Sequence, residues 1–276
     1  MKILVTGANG YLGKHVVNKL VDMGYTVYAS DLNFNGINEK AIKVYEPIFS
    51  EKKDIYKLVG APDICIHLAW RDGFVHESEN HIVDLSKHYI FLKNMIENGL
   101  KHLVVMGTMH EVGYYEGKID ENTPTNPLSK YGIAKNTLRQ LLQNLERRNE
   151  FIFQWLRAYY IIGDDLRGNS IFSKIALMES KGEKYFPFTT GENKYDFISI
   201  EELTNQIVMS SIQNEITGII NCCSGNPVKL KDKVEEFIKK NNFKIKLKYG
   251  VYPSRIYDSP EIWGDNSKII KILNNK

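Results

Sequence analysis

The sequence predicts an α/β fold: a doubly wound parallel sheet with a smaller, interleaved carboxyl-terminal region. Three observations predict it. Short apolar runs alternate with amphipathic helical stretches, a glycine-rich turn joins the first run to the first such stretch, and the alternation loses its regularity after Tyr160. Strands separated by helices give a mostly parallel sheet covered on both faces. Right-handed crossovers then limit the topology to a doubly wound arrangement.

The elements follow in order. Residues 2–5, Lys-Ile-Leu-Val, are an apolar run that enters the glycine turn. From Tyr11 to Met23, Leu12, Val16, Leu20 and Val21 fall on one helical face; Gly24 ends the helix and Thr26 to Ser30 reads as the second strand. Asp63 to Ala69 predicts a buried strand, Val83 to Glu97 a helix, and Leu103 to Gly107 another strand. Ser129 to Arg148 predicts a long helix and Phe151 to Arg157 the strand after it. Residues 1–160 are thus expected to form a dinucleotide-binding domain. Beyond them, Asp164 to Gly168 reads as loop, Ile171 to Glu179 as a short amphipathic helix and Phe186 to Lys194 as loop again. Asp196 to Ser199 and Gly218 to Cys223 are placed to rejoin the main sheet, with Ile200 to Ile212 as the helix between them. Residues 161–276 are expected to be mainly a substrate-binding region, with segments near 196–223 returning to the first domain.

Composition narrows the class. With 43% hydrophobic and 25% charged residues, the chain is neither disordered nor collagen-like. Cys65, Cys222 and Cys223 form no C-x-x-C pair and cannot build a disulfide scaffold, which fits a cytoplasmic protein. No run of 18 apolar residues exists, and the amino-terminal run is too short for a signal-peptide core, so no membrane association is expected. The net charge of +3 is diluted by acids. Even the lysine-rich stretch from Lys229 to Lys248 is interleaved with Asp232, Glu235 and Glu236, as in a solvated helix followed by a strand. No nucleic-acid partner is expected.

The turn Thr6-Gly7-Ala8-Asn9-Gly10-Tyr11-Leu12-Gly13 carries the first chemistry. Its early glycines permit a tight turn and let backbone amides approach a pyrophosphate. Gly13 allows close helix–strand packing, and the helix amino terminus offers unpaired N–H groups and a positive dipole end. The spacing is G-x-x-G-x-x-G, and its position between strand and helix points to a dinucleotide; a purely structural turn is the alternative. Asp31 follows the second strand directly and suits both hydroxyls of an adenosine ribose, while it would repel a 2′-phosphate. Residues 32–38 bring no positive charge. NAD is therefore favoured, with NADP possible; Asp31 also suits a turn-capping role.

Tyr131 and Lys135 lie four apart on one predicted helical face. A tyrosine titrates near 10 and is a poor acid–base group at neutral pH. A lysine ammonium one turn away favours phenolate, is expected to lower that value, and can hold the nicotinamide ribose. Thr108, at the end of the strand before this helix, is the natural hydrogen-bond partner of the reacting oxygen; a turn residue is the alternative. His110 and Glu111 are close by, but this mechanism needs neither. His110 suits either substrate contact or an ordinary loop. Histidines 15, 67, 76, 81, 88 and 102 show no metal-ligand spacing, and no metal is expected.

With these residues placed, the chain resembles the extended short-chain dehydrogenase/reductases, in their nucleotide-sugar epimerase and reductase group. The resemblance covers essentially all 276 residues. It rests on TGANGYLG at 6–13, Asp31, HLAW at 67–70, GTMHEVGY at 107–114, YGIAK at 131–135 and DFISIEEL at 196–203. It implies a Rossmann sheet, with Thr108, Tyr131 and Lys135 as the catalytic set. It implies cofactor contacts from Gly7, Asn9, Gly10, Tyr11, Leu12, Gly13, Asp31, Leu32, Leu68, Ala69, Tyr131 and Lys135. Substrate contacts are implied for Thr108, Met109, His110, Tyr131, Arg167, Asn169, Ser170 and Arg255, the two arginines toward the nucleotide diphosphate. Helices 83–97 and 129–148 are implied as a homodimer face.

The sequence also departs from the family pattern. Met106-Gly107 stands where a polar serine run is usual, Val112 replaces the aromatic of a Val-Tyr-Gly trio, and Tyr-Glu-Pro-Ile follows Val44 where many members carry Gly-Asp-Ile. The short carboxyl-terminal region and the MHEVGYYEG loop look more like reductases of 4-keto-6-deoxy nucleotide sugars than like hexose 4-epimerases. The expected function is therefore NAD(P)-dependent reduction of the C4 keto group of a nucleotide-activated 4-keto-6-deoxy sugar. The alternatives are an NAD-dependent 4-epimerase and a non-catalytic nucleotide-binding protein. A dehydratase is disfavoured, because Met109-His110 does not supply the usual Asp-Glu pair.

Overall fold

β1 (Lys2–Thr6) ends in the glycine turn and leads into α1 (Tyr11–Asp22), whose buried face is Gly13, Val16, Val17 and Leu20. Gly24, at a φ of +83°, closes that helix and releases β2 (Thr26–Ser30). The computed structural model describes residues 1–163, 170–253 and 258–275. Within it the chain continues through β3 (Ile42–Val44), a one-turn α2 (Ile55–Leu58), β4 (Ile64–His67), α3 (Asn80–Val83), α4 (Leu85–Glu97) and β5 (His102–Thr108). A 3₁₀ turn over Met109–Glu111 precedes β6 (Gly117–Ile119), α5 (Lys130–Glu146), β7 (Ile152–Ala158) and β8 (Tyr160–Ile162). Then come α6 (Ile171–Ser180), β9 (Tyr185–Pro187), β10 (Lys194–Ser199), α7 (Ile200–Ser211) and β11 (Gly218–Cys222). The chain ends in β12 (Pro227–Lys229), α8 (Leu230–Lys240), β13 (Lys246–Lys248), β14 (Glu261–Gly264) and α9 (Ser267–Asn274).

Seven strands form one parallel sheet in the order β11-β7-β5-β4-β1-β2-β3. This is the doubly wound topology that alternating strands and helices dictate. β4 and β5 are buried along their whole length, as strands covered on both faces must be. One face is covered by α1, α7 and α9 through Val16, Leu20, Leu203, Ile207 and Ile269. The other is covered by α4 and α5 through Phe91, Leu92, Met95, Leu138 and Leu142. A separate core, including Phe172, Phe188, Tyr195, Phe197 and Ile262, lies under the second sheet, in which β10 pairs β12, β14 and β8, and β14 pairs β6.

Two expectations need correction, and one strand went unread. Asp196–Ser199 does not rejoin the main sheet; only Gly218–Cys222 does, along β7 from Gly218↔Gln154 to Cys222↔Ala158. That edge is taken by β11, while Tyr195 and Phe197 bury against Tyr160 in the second core. Asp196, fully buried, accepts from the Ser224 and Gly225 amides, the Ser224 hydroxyl and the Gly264 amide. Residues 186–194 are not all loop, because β9 pairs in parallel with β13. The helix expected over 83–97 is α4, Leu85–Glu97, with the one-turn α3 just before it. Ile42–Val44, three residues without a full alternation to read, forms the sheet-edge strand β3. The loop expected over 164–168 lies outside the described residues.

Candidate active site

The glycine turn is shaped by backbone contacts that no side chain could replace. Gly7 has a φ of +68°, and a Cβ there would sit 2.7 Å from the Ala69 nitrogen. A Cβ on Gly13 would lie 2.0 Å from the Gly7 carbonyl oxygen. The turn therefore packs flat against the β4 end, where Leu68 N–H donates to Thr6 O (3.1 Å) and Ala69 N–H points toward Thr6 Oγ1 (3.4 Å). Gly10 caps α1 without a side-chain hydrogen bond, so the first amides of α1 are left to an anion. Asp31 accepts from the Asn9 amide (2.8 Å) and the Leu32 amide (2.7 Å). It thus does cap the turn, and its carboxylate keeps further lone pairs for ribose hydroxyls. Leu32 is almost fully exposed, Asn9 Oδ1 is buried without a hydrogen-bond partner, and Leu12 packs partly against the core. Tyr11, at the first turn of α1, sets its ring against Phe74 and comes so close to Gly163 that a Cβ there would overlap its hydroxyl. The donor set and the bare helix end fit a dinucleotide pyrophosphate.

Thr108 ends β5 and Tyr131 opens α5, two neighbours in the fold but 23 residues apart in sequence. Ser129 starts α5 by accepting from the Gly132 amide (3.1 Å), which fixes where the tyrosine points. The Thr108 hydroxyl lies beside the Tyr131 phenol and accepts from the His110 amide (3.3 Å). Desolvation pushes the phenol above its ordinary value and the Thr108 hydroxyl pulls it back in part. The expected lowering by Lys135 is not what governs this tyrosine; burial outweighs it. Lys135 is itself buried, donates to Met106 O (2.7 Å), and is held down to about 7 by burial. Its ammonium sits 3.8 Å above the Trp70 ring, so a cation–π contact stands in for lost water.

Around this trio lies an aromatic cluster that the sequence reading left unassigned. Trp70 stacks on His88 (centroids 4.5 Å, 17°) and donates from Nε1 to His81 Nδ1 (3.0 Å). His81 Nε2 therefore carries the proton and donates to Val75 O (2.9 Å). His76 lies parallel to Tyr131 (5.3 Å, 13°) and edge-on to His110 (4.4 Å). The Tyr131 amide donates to His76 O (2.9 Å). A cleft of about 410 Å³ opens here, lined by His76, Met109, His110, Gly113, Leu128, Ser129, Tyr160, Ser259 and Ile262. It lies between the carboxyl end of β5 and the second sheet, the position expected for a ligand in an open α/β sheet. Met109 and His110 are part of that lining. Ser170 caps α6, accepting from the Ser173 amide (3.1 Å). Arg167, Asn169 and Arg255 lie outside the described residues. Among the described residues no group of three potential ligands converges on a metal position. HLAW contained the one readable hint, a tryptophan one residue past the alanine.

Residues 3–223 match the NAD dependent epimerase/dehydratase family. The dTDP-6-deoxy-L-talose 4-dehydrogenase (NAD(+)) of Aggregatibacter actinomycetemcomitans is 46% identical over 272 residues, which cover 96% of this chain and 99% of that protein. UDP-arabinose 4-epimerase 1 of Arabidopsis thaliana is 26% identical over 316 residues, covering 99% of this chain and 74% of that one. Among solved structures, UDP-glucose 4-epimerase of Thermotoga maritima with UDP-glucose aligns with a TM-score of 0.83 at 23% identity, over 98% of this chain and 92% of that one. At that identity the likeness concerns the fold.

Proposed function

The chain belongs to the NAD dependent epimerase/dehydratase family, and from that premise we propose that it interconverts the C4 hydroxyl and C4 ketone of a dTDP-activated 6-deoxyhexose. The arrangement that carries the reaction is Thr108 at the end of β5 beside Tyr131 in the first turn of α5, with Lys135 buried one helical turn further on. Nearly end-to-end identity of 46% to a dTDP-6-deoxy-L-talose 4-dehydrogenase supports the substrate class.

NAD bound at the glycine turn, held by Gly7, Gly10 and Gly13, would supply hydride exchange with C4. Tyr131 exchanges the proton: as phenol it donates to the carbonyl oxygen in reduction, and as phenolate it takes the hydroxyl proton in oxidation. Thr108 orients that oxygen. Lys135 holds positive charge beside the phenol, and the remaining lone pairs of Asp31 would accept from an adenosine ribose, which favours NAD over NADP. Met109, His110 and Tyr160 face the sugar from the cleft wall, and Arg167, Asn169, Ser170 and Arg255 are assigned to the nucleotide side.

The protein is also proposed to be a homodimer. Ile90 on α4, and Ile133 and Leu141 on α5, are apolar and exposed, and they supply the surface such a pair needs. Among the described residues no helix is long and apolar enough to cross a membrane. The three buried free thiols suit a reducing, cytoplasmic setting.

The purified protein with NAD and dTDP-6-deoxy-L-talose is expected to form NADH in step with a 4-keto product. Because burial raises Tyr131 above its ordinary value, oxidation, which needs phenolate, should speed up with rising pH, while reduction, which needs phenol, should hold steady through the neutral range. Replacing Tyr131 with Phe should lower kcat by roughly 10²–10⁴-fold. C4 epimers exchanged without net NADH would establish the epimerase reading instead, and full activity in Y131F would remove the tyrosine from the chemistry.

A further inference from the structure

Glu111 is fully buried and lies three residues past Thr108, in a place where the reaction assigns it no task. Its Oε1 accepts from the Thr108 amide (2.7 Å) and from Trp155 Nε1 (2.8 Å). Its Oε2 lies 3.4 Å from Arg157 Nε on β7 and 3.4 Å from Arg139 Nε on α5. Room for the carboxylate comes from Gly107: a Cβ there would stand 2.7 Å from Glu111 Oε1 and 2.1 Å from Trp155 Nε1. The glycine that breaks the family's serine run is thus the partner of this carboxylate.

We propose that Glu111 is a positioning residue that ties the Thr108 end of β5 to the helix carrying Tyr131 and Lys135, with its single negative charge facing both. A buried carboxylate is retained only where it is paired and hydrogen-bonded, and Glu111 spends its oxygens on three different elements at once. The titratable groups that feel it are Tyr131 and Lys135 on α5 and Tyr159 after β7; Arg139 and Arg157 neutralise it. Its charge opposes phenolate at Tyr131 and favours ammonium at Lys135, so both groups are held above where they would otherwise titrate. This keeps the pair in the form of neutral phenol and ammonium, ready to donate toward a carbonyl. The last step rests on the redox function proposed above; the positioning does not.

The test reads Lys135 directly, by the ¹³Cε chemical shift of labelled lysine, assigned with Lys135→Met. The wild-type midpoint is expected at about 7. Glu111→Gln should move it down by roughly one unit or more, since the loss of a nearby charge shifts a group by about that much. Glu111→Asp, which keeps the charge and shortens the reach, should leave it close to wild type. Arg139→Gln should move it up. Both Glu111 variants should lower kcat on the order of 10²-fold with little change in sugar KM, because Thr108 is displaced. Should Glu111→Gln fail to fold, Arg139→Gln, which keeps the carboxylate, carries the test alone. A midpoint unmoved by Arg139→Gln, or full kcat in Glu111→Asp, overturns the proposal. A Lys135 shift as expected in a protein that turns over no dTDP sugar would instead leave Glu111 in place and discard the substrate.

Discussion

One added carbon on Gly13 shows how little slack the cofactor turn has. The Cβ would meet the Gly7 carbonyl at 2.0 Å and the Ala8 backbone at 2.8 Å, and backbone cannot rotate out of the way as a side chain can. Gly13→Ala is therefore expected to destabilise the protein by about 1–3 kcal/mol, as overpacking does. It should also weaken NAD binding at least tenfold, read by calorimetric titration. Wild-type affinity in that variant would mean the turn does not hold the pyrophosphate. Single residues also mark where the sequence was readable. The positions of Gly7, Gly13, Thr108, Tyr131 and Lys135 were legible because they depend on local spacing. Trp70 and Glu111 were not, because a tryptophan under a lysine and a carboxylate among two arginines are contacts across 65 and 46 residues, respectively.

At the scale of elements, β4 and α4 are joined through polar groups inside the core. Thr6 Oγ1 bonds His67 Nδ1 (2.8 Å), and His67 Nε2 bonds His88 Nδ1 (2.9 Å). Burial lowers His67 well below its ordinary value and lowers His88 to about 3. Both are therefore neutral when folded, whereas the unfolded chain takes up protons below about 6.5. Their contribution to stability is complete above that pH and is lost as the pH falls toward 3. The cost reaches up to about 1.4 kcal/mol per pH unit for each histidine. Urea midpoints should fall from pH 7.5 to pH 5, and the fall should be shallower in His67→Gln/His88→Gln. An equal slope in that double variant would assign the acid sensitivity elsewhere. The same elements show why helix boundaries strayed: apolar periodicity ran from Val83 through Glu97, but Asp84 interrupts it, accepting ion pairs from Arg71 (2.8 Å) and Lys87 (3.0 Å).

At the scale of the whole molecule, the cleft lies between two sheets, and each contributes part of its wall: Met109 and His110 follow β5, while Tyr160 and Ile262 belong to the second sheet. The proposed homodimer is tested on the layer of α4 and α5. Ile90→Glu and Leu141→Glu together should give a monomer in sedimentation velocity where the parent protein sediments as a dimer, with the far-ultraviolet spectrum unchanged. A monomeric parent at micromolar concentration would refute the pairing.

The sequence by itself determined the parallel sheet in outline, the glycine turn after β1 and the spacing that sets Tyr131 and Lys135 on one face of α5. Each is written in spacing over a few residues: period 2 for strands, 3.6 for helices, glycine where backbone meets backbone. Tertiary structure alone decided that β10 belongs to the second sheet, that Lys135 rests on Trp70, and that Glu111 is sealed among arginines. These depend on which distant segments share an edge or a core. A side chain's partners and its loss of water are set by packing, and packing leaves no period in the chain.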